Sequence, residues 1–436
     1  MDNQEILEQI KALVSKYADN KYKKTDFIPN QTVVPPSGKV IDADELTMMV
    51  EASLDGWLTT GRFNEQFETK LKKFLGVRSL LTTNSGSSAN LLAFSALTSP
   101  LLGEKAVKPG DEVITVAAGF PTTINPILQN NCIPVFVDID KQTHNIDPDL
   151  IEEAISSKTR AIMIAHSLGN PFDLDVVMKL CKKYNLWLIE DNCDALGSRY
   201  NGQLTGTFGH ISTLSFYPAH HITMGEGGAV FTNTPKLAKI IESYRDWGRD
   251  CFCKPGCDNT CGKRFEWQLG NLPHGYDHKY IYSHKGFNLK ISDMQAACGL
   301  AQLSKLDSFI QKRKDNFDFL YQCLQGYDEF ITLPKATPNS DPSWFGFLIT
   351  LKEHDIFKRL DLLKHLDAAK IGTRLLFAGN LVRQPYMQNE NYRISGQLRN
   401  TDYVMENSFW IGVYPGINQE MLTFVANKIK SFFDDN

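Results

Sequence analysis

Seven short apolar runs recur between residues 80 and 233, and segments long enough to form helices separate most of them. Runs of this length are typical of buried strands, and helical crossovers join strands that lie parallel in one sheet. The pattern therefore predicts an α/β fold in which helices cover both faces of a seven-stranded, mostly parallel sheet. The predicted strands are residues 80–83, 112–116, 133–138, 161–165, 186–190, 211–216 and 228–233.

The remaining sequence predicts regions that flank this sheet. Residues 1–50 predict a helix followed by an extended, proline-bearing segment, and residues 51–305 predict a large domain with a cysteine-bearing insertion at about 250–280. A long amphipathic helix then leads to a strand at 345–350 and a final helix at 420–433. Residues 306–436 are therefore expected to form a smaller α+β C-terminal domain.

The composition excludes several classes of partner. The formal net charge is −4, and no long basic stretch of the kind that binds nucleic acid or an anionic membrane is present. No run reaches the about 18 apolar residues that a membrane span needs, and the first residues lack a secretion signal. We expect a cytoplasmic protein whose nine cysteines are free thiols, so that clustered ones are available for metal or redox chemistry.

Two features predict a site at the carboxyl ends of the strands, where parallel sheets bind ligands. The turn T-T-N-S-G-S-S-A-N at residues 82–90 follows the first predicted strand, and its N–H groups and hydroxyls either cap the next helix or bind phosphate. Asp191 ends the fifth predicted strand. A carboxylate at this place either caps the next turn or keeps a pyridine nitrogen protonated.

The segment 211–231, I-S-T-L-S-F-Y-P-A-H-H-I-T-M-G-E-G-G-A-V-F, predicts a strand, a polar turn and a second strand. Together with the motifs above, it resembles the sugar aminotransferase group (DegT/DnrJ/EryC1-like) of fold-type I pyridoxal-phosphate enzymes, over about residues 61–303. In that family a Ser-Phe pair leads to the cofactor-binding lysine, which Gly-Glu-Gly-Gly follows. Here His220 holds the lysine position, and no lysine lies between Thr205 and Pro235.

The resemblance implies an aspartate-aminotransferase-like fold and a set of cofactor contacts. Asp191 would contact the pyridine nitrogen, and Phe120, within G-F-P-T-T, would lie near the ring face. Asn288 would reach the phosphate from the partner subunit of a homodimer. The residues expected at the phosphate within the same subunit are Ser85, Gly86, Ser87 and Ser215.

Two further departures from the family pattern occur at the same site. Asp194 stands where relatives commonly carry Gln, and Tyr217 stands where His is frequent. Together with His220 they predict a pocket that has changed for chemistry other than transamination. His220 is the predicted general base, with Tyr217 and Asp194 as further catalytic residues, whereas His221 is one place out of register.

Five cysteines fall near this site or in the loop after it. Four thiolates that converge from loops suit Zn²⁺ or an iron–sulfur cluster, so a structural zinc remains an alternative. The spacing resembles the [2Fe–2S] pattern of one branch of the family, with Cys193, Cys251, Cys253 and Cys261 as ligands and Cys257 as a spare. Because Cys193 is only two residues, or ~7 Å, beyond Asp191, such a cluster would neighbour the ring.

This branch of the family implies C3 deoxygenation of a nucleotide-linked 4-keto-6-deoxyhexose, CDP-linked by resemblance, for 3,6-dideoxyhexose and lipopolysaccharide O-antigen synthesis. Without a lysine, pyridoxamine phosphate would be held noncovalently and form a ketimine with the C4 ketone. His220 would remove the C4′ proton, the C3 hydroxyl would leave, and the cluster would pass on electrons. Since the chain has no dinucleotide fingerprint, an NAD(P)H-dependent iron–sulfur flavin reductase is the implied electron donor.

Two alternatives remain from the sequence. One is a cluster-free deoxysugar dehydratase with the same lysine-to-histidine change, and the other is a catalytically silent sensor or scaffold that zinc stabilises. Arg374, Arg383 and Phe345 are candidates for the wall of the sugar-nucleotide pocket.

Overall fold

The computed structural model describes residues 1–23, 26–253, 256–353 and 355–435, and these contain fourteen strands. In chain order the strands are β1 (Ser79–Thr83), β2 (Glu112–Val116), β3 (Ile133–Val137), β4 (Thr159–Ala165), β5 (Trp187–Asp191), β6 (Arg199–Tyr200), β7 (Gln203–Leu204), β8 (Ile211–Ser215), β9 (Gly228–Thr232), β10 (Ile331–Thr332), β11 (Ser340–Asp341), β12 (Gly346–Leu351), β13 (Arg393–Ile394) and β14 (Ser408–Gly412).

Thirteen α-helices occur in the same four described ranges. They are α1 (Asn3–Lys21), α2 (Ala43–Leu54), α3 (Arg62–Leu75), α4 (Gly86–Leu97), α5 (Pro121–Gln129), α6 (Ile151–Ala154), α7 (Leu174–Tyr184), α8 (Pro235–Arg245), α9 (Asp293–Leu303), α10 (Leu306–Leu324), α11 (Arg359–Ala368), α12 (Arg399–Asn407) and α13 (Gln419–Asp434).

The main sheet confirms the predicted α/β fold. Its strand order is β1-β9-β8-β5-β4-β2-β3-β13, and β9 runs antiparallel to both of its neighbours while the other pairs are parallel. All seven predicted strands belong to it. The prediction of seven strands was one short, because β13 has two residues and no apolar run that could reveal it.

Strand β13 is held at the edge of the sheet by an ion pair rather than by apolar packing. Arg393 donates to both carboxylate oxygens of Glu112 on β2, at 3.0 and 2.7 Å, and to the Ala154 carbonyl at 2.6 Å. Burial opposes ionisation of Glu112, but the hydrogen bond from Arg393 and that from Ser156 outweigh it and lower the pKa of this carboxyl below 4.5.

A second, antiparallel sheet of order β10-β12-β14 lies in the C-terminal part of the chain. Its apolar core is closed by helices α10, α11 and α13 and includes Phe347, Ile349 and Phe409. The strand expected at 345–350 and the helix expected at 420–433 correspond to β12 and α13. The division into 1–50, 51–305 and 306–436 stays a prediction.

The N-terminal segment connects to the C-terminal part. The Val34 N–H donates to the Lys370 carbonyl at 2.9 Å, and the Gly372 N–H donates back to the Val34 carbonyl at 2.8 Å. Helix α1 packs against α2. Among the helices of the described residues, none combines the length and the apolar character that crossing a membrane requires.

The ion pair at β13 gives a test of this edge. Because the pKa of Glu112 is lowered in the folded state, its contribution to stability is present above pH 4.5 and lost as the pH falls through the folded-state pKa. Arg393→Gln is therefore expected to lower the free energy of unfolding by about 1–2 kcal/mol at pH 7 and by less toward pH 4, measured by thermal denaturation. Arg399→Gln is the control, since Arg399 is exposed and bonds to Gln397. A loss of unfolding free energy that is equal at pH 7 and pH 4 would contradict an ionic interaction between Arg393 and Glu112.

Candidate active site

A cavity of about 740 Å³ opens at the carboxyl ends of the central strands. Strands β5 and β8 run parallel and end side by side at Asp191 and Ser215, and Gly228 on β9 pairs with both Thr83 and Ser215. The cavity brings ten predicted site residues together: Ser85, Gly86, Ser87, Phe120, Asp191, Cys193, Asp194, Ser215, Tyr217 and His220.

Asp191 lies at the floor of the cavity, and its carboxylate is held in one orientation. It is 4% exposed and accepts hydrogen bonds from Asn90 Nδ2 at 2.8 Å and from Thr123 Oγ1 at 2.7 Å, both through Oδ2. Its Oδ1 accepts from the Cys193 N–H at 3.2 Å, and Thr213 Oγ1 fixes the Asn90 amide at 2.7 Å. A carboxyl group fixed in this way is a suitable partner for a protonated pyridine nitrogen.

Asn90 and Thr123 are site residues that the sequence prediction missed. Asn90 ends the motif at 82–90, and Thr123 follows Phe120 in G-F-P-T-T. Both therefore lay within motifs already identified, but nothing in the sequence shows that side chains 101 and 68 residues from Asp191 would converge on it.

The first turn of α4 has the features of an anion site. Ser85 caps this twelve-residue helix by accepting a hydrogen bond from the Ser88 N–H at 3.0 Å, and Ser85, Gly86 and Ser87 line the cavity. The first N–H groups of a helix have no partner within the helix and favour an anion. Close backbone approach is built into the site, because a Cβ on Gly86 would lie 2.4 Å from Ser215 Cβ. The hydroxyls of Ser85, Ser87 and Ser215 complete a cradle that fits a phosphate.

His220 ends a turn in which its N–H donates to the Tyr217 carbonyl at 2.9 Å. Its side chain is 14% exposed, and Nδ1 lies 3.5 Å from Asp194 Oδ1 without a hydrogen bond. Burial and the positive charge of Arg313 lower the pKa of His220 to about 4, which leaves the imidazole neutral at pH 7. Burial and the charge of Asp191 raise the pKa of Asp194 well above its usual range.

Among the described residues, no side chain that lines the cavity offers an amine for covalent attachment of an aldehyde cofactor. In the described part of the chain, no lysine is among the residues that line it. Phe120 and Tyr217, both about half exposed, form part of its wall, and the Phe120 ring packs edge-on against Phe377. The phosphate cradle, the buried carboxylate and the aromatic wall thus fit a noncovalent pyridoxal-type cofactor.

The four predicted cluster ligands are not brought together. Cys193 lines the large cavity, whereas Cys251, Cys253 and Cys261 line a separate one of about 10 Å³. Among the described residues, no group of three histidine, cysteine or acidic side chains is arranged to hold a metal ion. The residues as they stand therefore do not fit a four-thiolate cluster, although three of the thiols share one pocket.

The other predicted residues separate into two groups. Arg374 and Phe345 line the large cavity, whereas Arg383 does not and instead pairs with Asp402 at 3.0 Å and Glu406 at 3.3 Å. Asn288 lies outside the cavity and is exposed, with its Oδ1 bonded to Lys290 at 2.7 Å. Its predicted contact with a partner's phosphate stays a prediction.

Known proteins resemble this chain over nearly its whole length. Lipopolysaccharide biosynthesis protein RfbH from Salmonella typhimurium is 66% identical over 429 residues, which cover 98% of each protein. The dTDP-4-dehydro-2,6-dideoxy-D-glucose 3-dehydratase of Saccharopolyspora spinosa is 52% identical over 98% of this chain and 92% of that protein.

Solved structures agree with the sequence comparison. A GDP-4-keto-6-deoxymannose-3-dehydratase mutant with bound GDP-perosamine covers 91% of this chain and 100% of its own at a TM-score of 0.82 and 26% identity. The Escherichia coli enzyme with bound hydrated PLP gives a TM-score of 0.81. The model of the DegT/DnrJ/EryC1/StrS aminotransferase family matches residues 39–430. The chain belongs to this family and has its fold-type I architecture.

Proposed function

We propose that the chain removes the C3 hydroxyl of a nucleotide-linked 4-keto-6-deoxyhexose, with noncovalently held pyridoxamine phosphate. The observation that carries this proposal is His220 at the family's lysine position, in a cavity that no described lysine lines. An aminotransferase holds its cofactor on that lysine, so its replacement favours another reaction. Relatives named as 3-dehydratases of dTDP- and GDP-linked sugars support the same reaction class.

The finer identity that we propose is a CDP-6-deoxy-4-keto-glucose 3-dehydrase of O-antigen synthesis. The relative at 66% identity is named for lipopolysaccharide biosynthesis, which supports this setting. The relatives' names include both dTDP- and GDP-linked sugars, so they do not identify the nucleotide. The CDP group is therefore proposed from the resemblance of the motifs alone. We further propose a homodimer in which Asn288 completes the partner's phosphate site.

In the proposed mechanism, some pocket residues hold the cofactor and others move a proton. When bound, the cofactor supplies an amine for the C4 ketone and a ring that accepts electrons. Asp191, oriented by Asn90 and Thr123, keeps the ring nitrogen protonated. Ser85, Ser215 and the N–H groups of α4 hold the phosphate.

His220 is the proposed base for the proton at the cofactor's C4′ carbon. A neutral imidazole is needed for this step, and the lowered pKa of His220 ensures it at pH 7. Asp194 lies beside Nδ1 and limits the orientation of the ring, while Tyr217 forms the adjacent wall. These two residues complete the proposed catalytic set.

Electron supply is a separate part of the proposal. The sequence spacing supports a [2Fe–2S] cluster on Cys193, Cys251, Cys253 and Cys261, fed by an NAD(P)H-dependent iron–sulfur flavin reductase. The placement of Cys193 in a different cavity from the other three favours the second candidate, a cluster-free dehydratase.

The role of His220 is tested by His220→Asn. The variant should bind pyridoxamine phosphate as the wild type does, because the phosphate cradle and Asp191 are intact, and it should lose C3 dehydration by about 10²- to 10⁴-fold. Cofactor absorbance and chromatographic assay of the product measure the two effects. His221→Asn is the matched control, since His221 bonds to the Ser343 carbonyl and does not line the large cavity. Retained dehydration in His220→Asn would remove it as the base.

Arg374 and Arg383 allow a controlled test of which arginine binds the substrate's diphosphate. Arg374 lines the cavity, and its guanidinium donates to the Thr373 carbonyl, whereas Arg383 is paired with two carboxylates outside the cavity. Arg374→Gln should raise KM for the nucleotide sugar about tenfold, while Arg383→Gln should leave KM unchanged. Steady-state kinetics measure KM for each variant. Equal effects of the two changes on KM would contradict the assignment of Arg374 to the diphosphate.

Iron and sulfide content after anaerobic purification tests the cluster. A cluster would give two irons and two sulfides per chain, which Cys253→Ser should lose and Cys257→Ser, the control, should keep because Cys257 is the spare thiol. Colourless protein that contains zinc would contradict the cluster and would indicate that zinc stabilises the cysteine loop. Colourless, metal-free protein that still dehydrates the sugar would establish the cluster-free candidate.

A further inference from the structure

Arg313 is the largest side chain that is fully buried among the described residues. It projects from α10 and lies under the turn that carries His220. Arginine is almost never fully buried unless it is paired with an acid, because removing a charge from water is costly. Here the carboxylate whose charge acts on Arg313 is Asp194, and the hydrogen bonds of the guanidinium go to the main chain.

The guanidinium joins two backbone segments. Nη2 donates to the carbonyls of His220 at 3.1 Å and Ala219 at 3.4 Å. Nη1 donates to the carbonyls of Phe345 at 3.2 Å and Trp344 at 3.3 Å, just before β12. One planar group therefore fixes the backbone on which His220 stands to the backbone on which Phe345 stands.

The two fixed segments carry side chains that touch. The rings of His220 and Phe345 have centroids 5.2 Å apart at an angle of 49°, and both rings line the large cavity. On its other side, His220 faces Asp194. The imidazole is thus confined by an aromatic ring and a carboxyl group, and Arg313 fixes both the backbone that carries the imidazole and the backbone that carries the ring.

The chemistry of the group explains why an arginine is used. Burial lowers the pKa of Arg313 only to about 10, so it stays charged at pH 7. A guanidinium presents its donors in a rigid fork that can reach several carbonyls at once, whereas a lysine ammonium is a single point at the end of a flexible chain.

We propose that Arg313 is a positioning residue that sets the orientation of the His220 imidazole toward the bound cofactor. The inference rests on the proposed function, because it acts through His220. Displacement of a reacting group by about 1 Å costs on the order of 10²-fold in rate, so the predicted effect is on turnover rather than on binding.

Arg313→Lys tests the inference in the full-length protein loaded with pyridoxamine phosphate. We expect kcat for C3 dehydration to fall about 100-fold while KM, cofactor absorbance and melting temperature stay near the wild-type values. Lys314→Met is the control, because Lys314 is the next residue on α10 and pairs with Asp341 outside the cavity. Unchanged kcat in Arg313→Lys would overturn the inference, and so would a loss of kcat that comes with loss of the cofactor and of stability.

If Arg313→Lys does not fold, a second variant tests the inference. In Arg313→Ala, added guanidinium should restore turnover toward the wild-type rate, whereas methylammonium should not, because only guanidinium has the fork of donors. Equal effects of the two cations would overturn the inference. A wild-type protein that binds the cofactor but does not dehydrate the sugar would overturn the proposed function itself, which separates the two failures.

Discussion

The buried carboxylate of Asp191 is the interaction on which the site depends. It ends β5 in the middle of the sheet, and hydrogen bonds from Asn90 and Thr123 hold it there. Asn90 lies on α4, the same helix whose first turn is the proposed phosphate site, so one helix carries residues of both parts of the proposed cofactor site. The parallel sheet places this carboxylate at the end of β5, and the close approach of Gly86 to Ser215 brings the first turn of α4 to the same cavity.

The histidine turn adds a second constraint, and it separates this chain from a lysine-bearing relative. A lysine at this position would bond to the cofactor aldehyde, whereas His220 can only exchange a proton. Its surroundings keep it neutral through burial and the nearby guanidinium of Arg313. Arg313 thus connects α10, the turn and the segment just before β12, and Phe345 and Trp410 from the C-terminal part of the chain line the same cavity as His220.

Much of this could be predicted from the sequence, because strands and turn motifs are local patterns. The seven longer strands were predicted from their apolar runs, and ten of the residues that line the cavity were expected from the resemblance of their motifs to the family. Long-range pairing could not be predicted. Strand β13 depends on Arg393 and Glu112, which are 281 residues apart, and Arg313 reaches His220 across 93 residues. Cysteine spacing likewise did not show that Cys193 would face a different cavity from Cys251.

The proposed function is elimination of the oxygen at C3 of the sugar rather than addition of nitrogen at C4. An isotope label on the C3 hydroxyl oxygen of a CDP-linked 4-keto-6-deoxyhexose tests it most directly, with the protein loaded with pyridoxamine phosphate and the product analysed by mass spectrometry. The account predicts that the label appears in water and that the sugar carries no amine. A 4-amino sugar that keeps the labelled oxygen at C3 would contradict it.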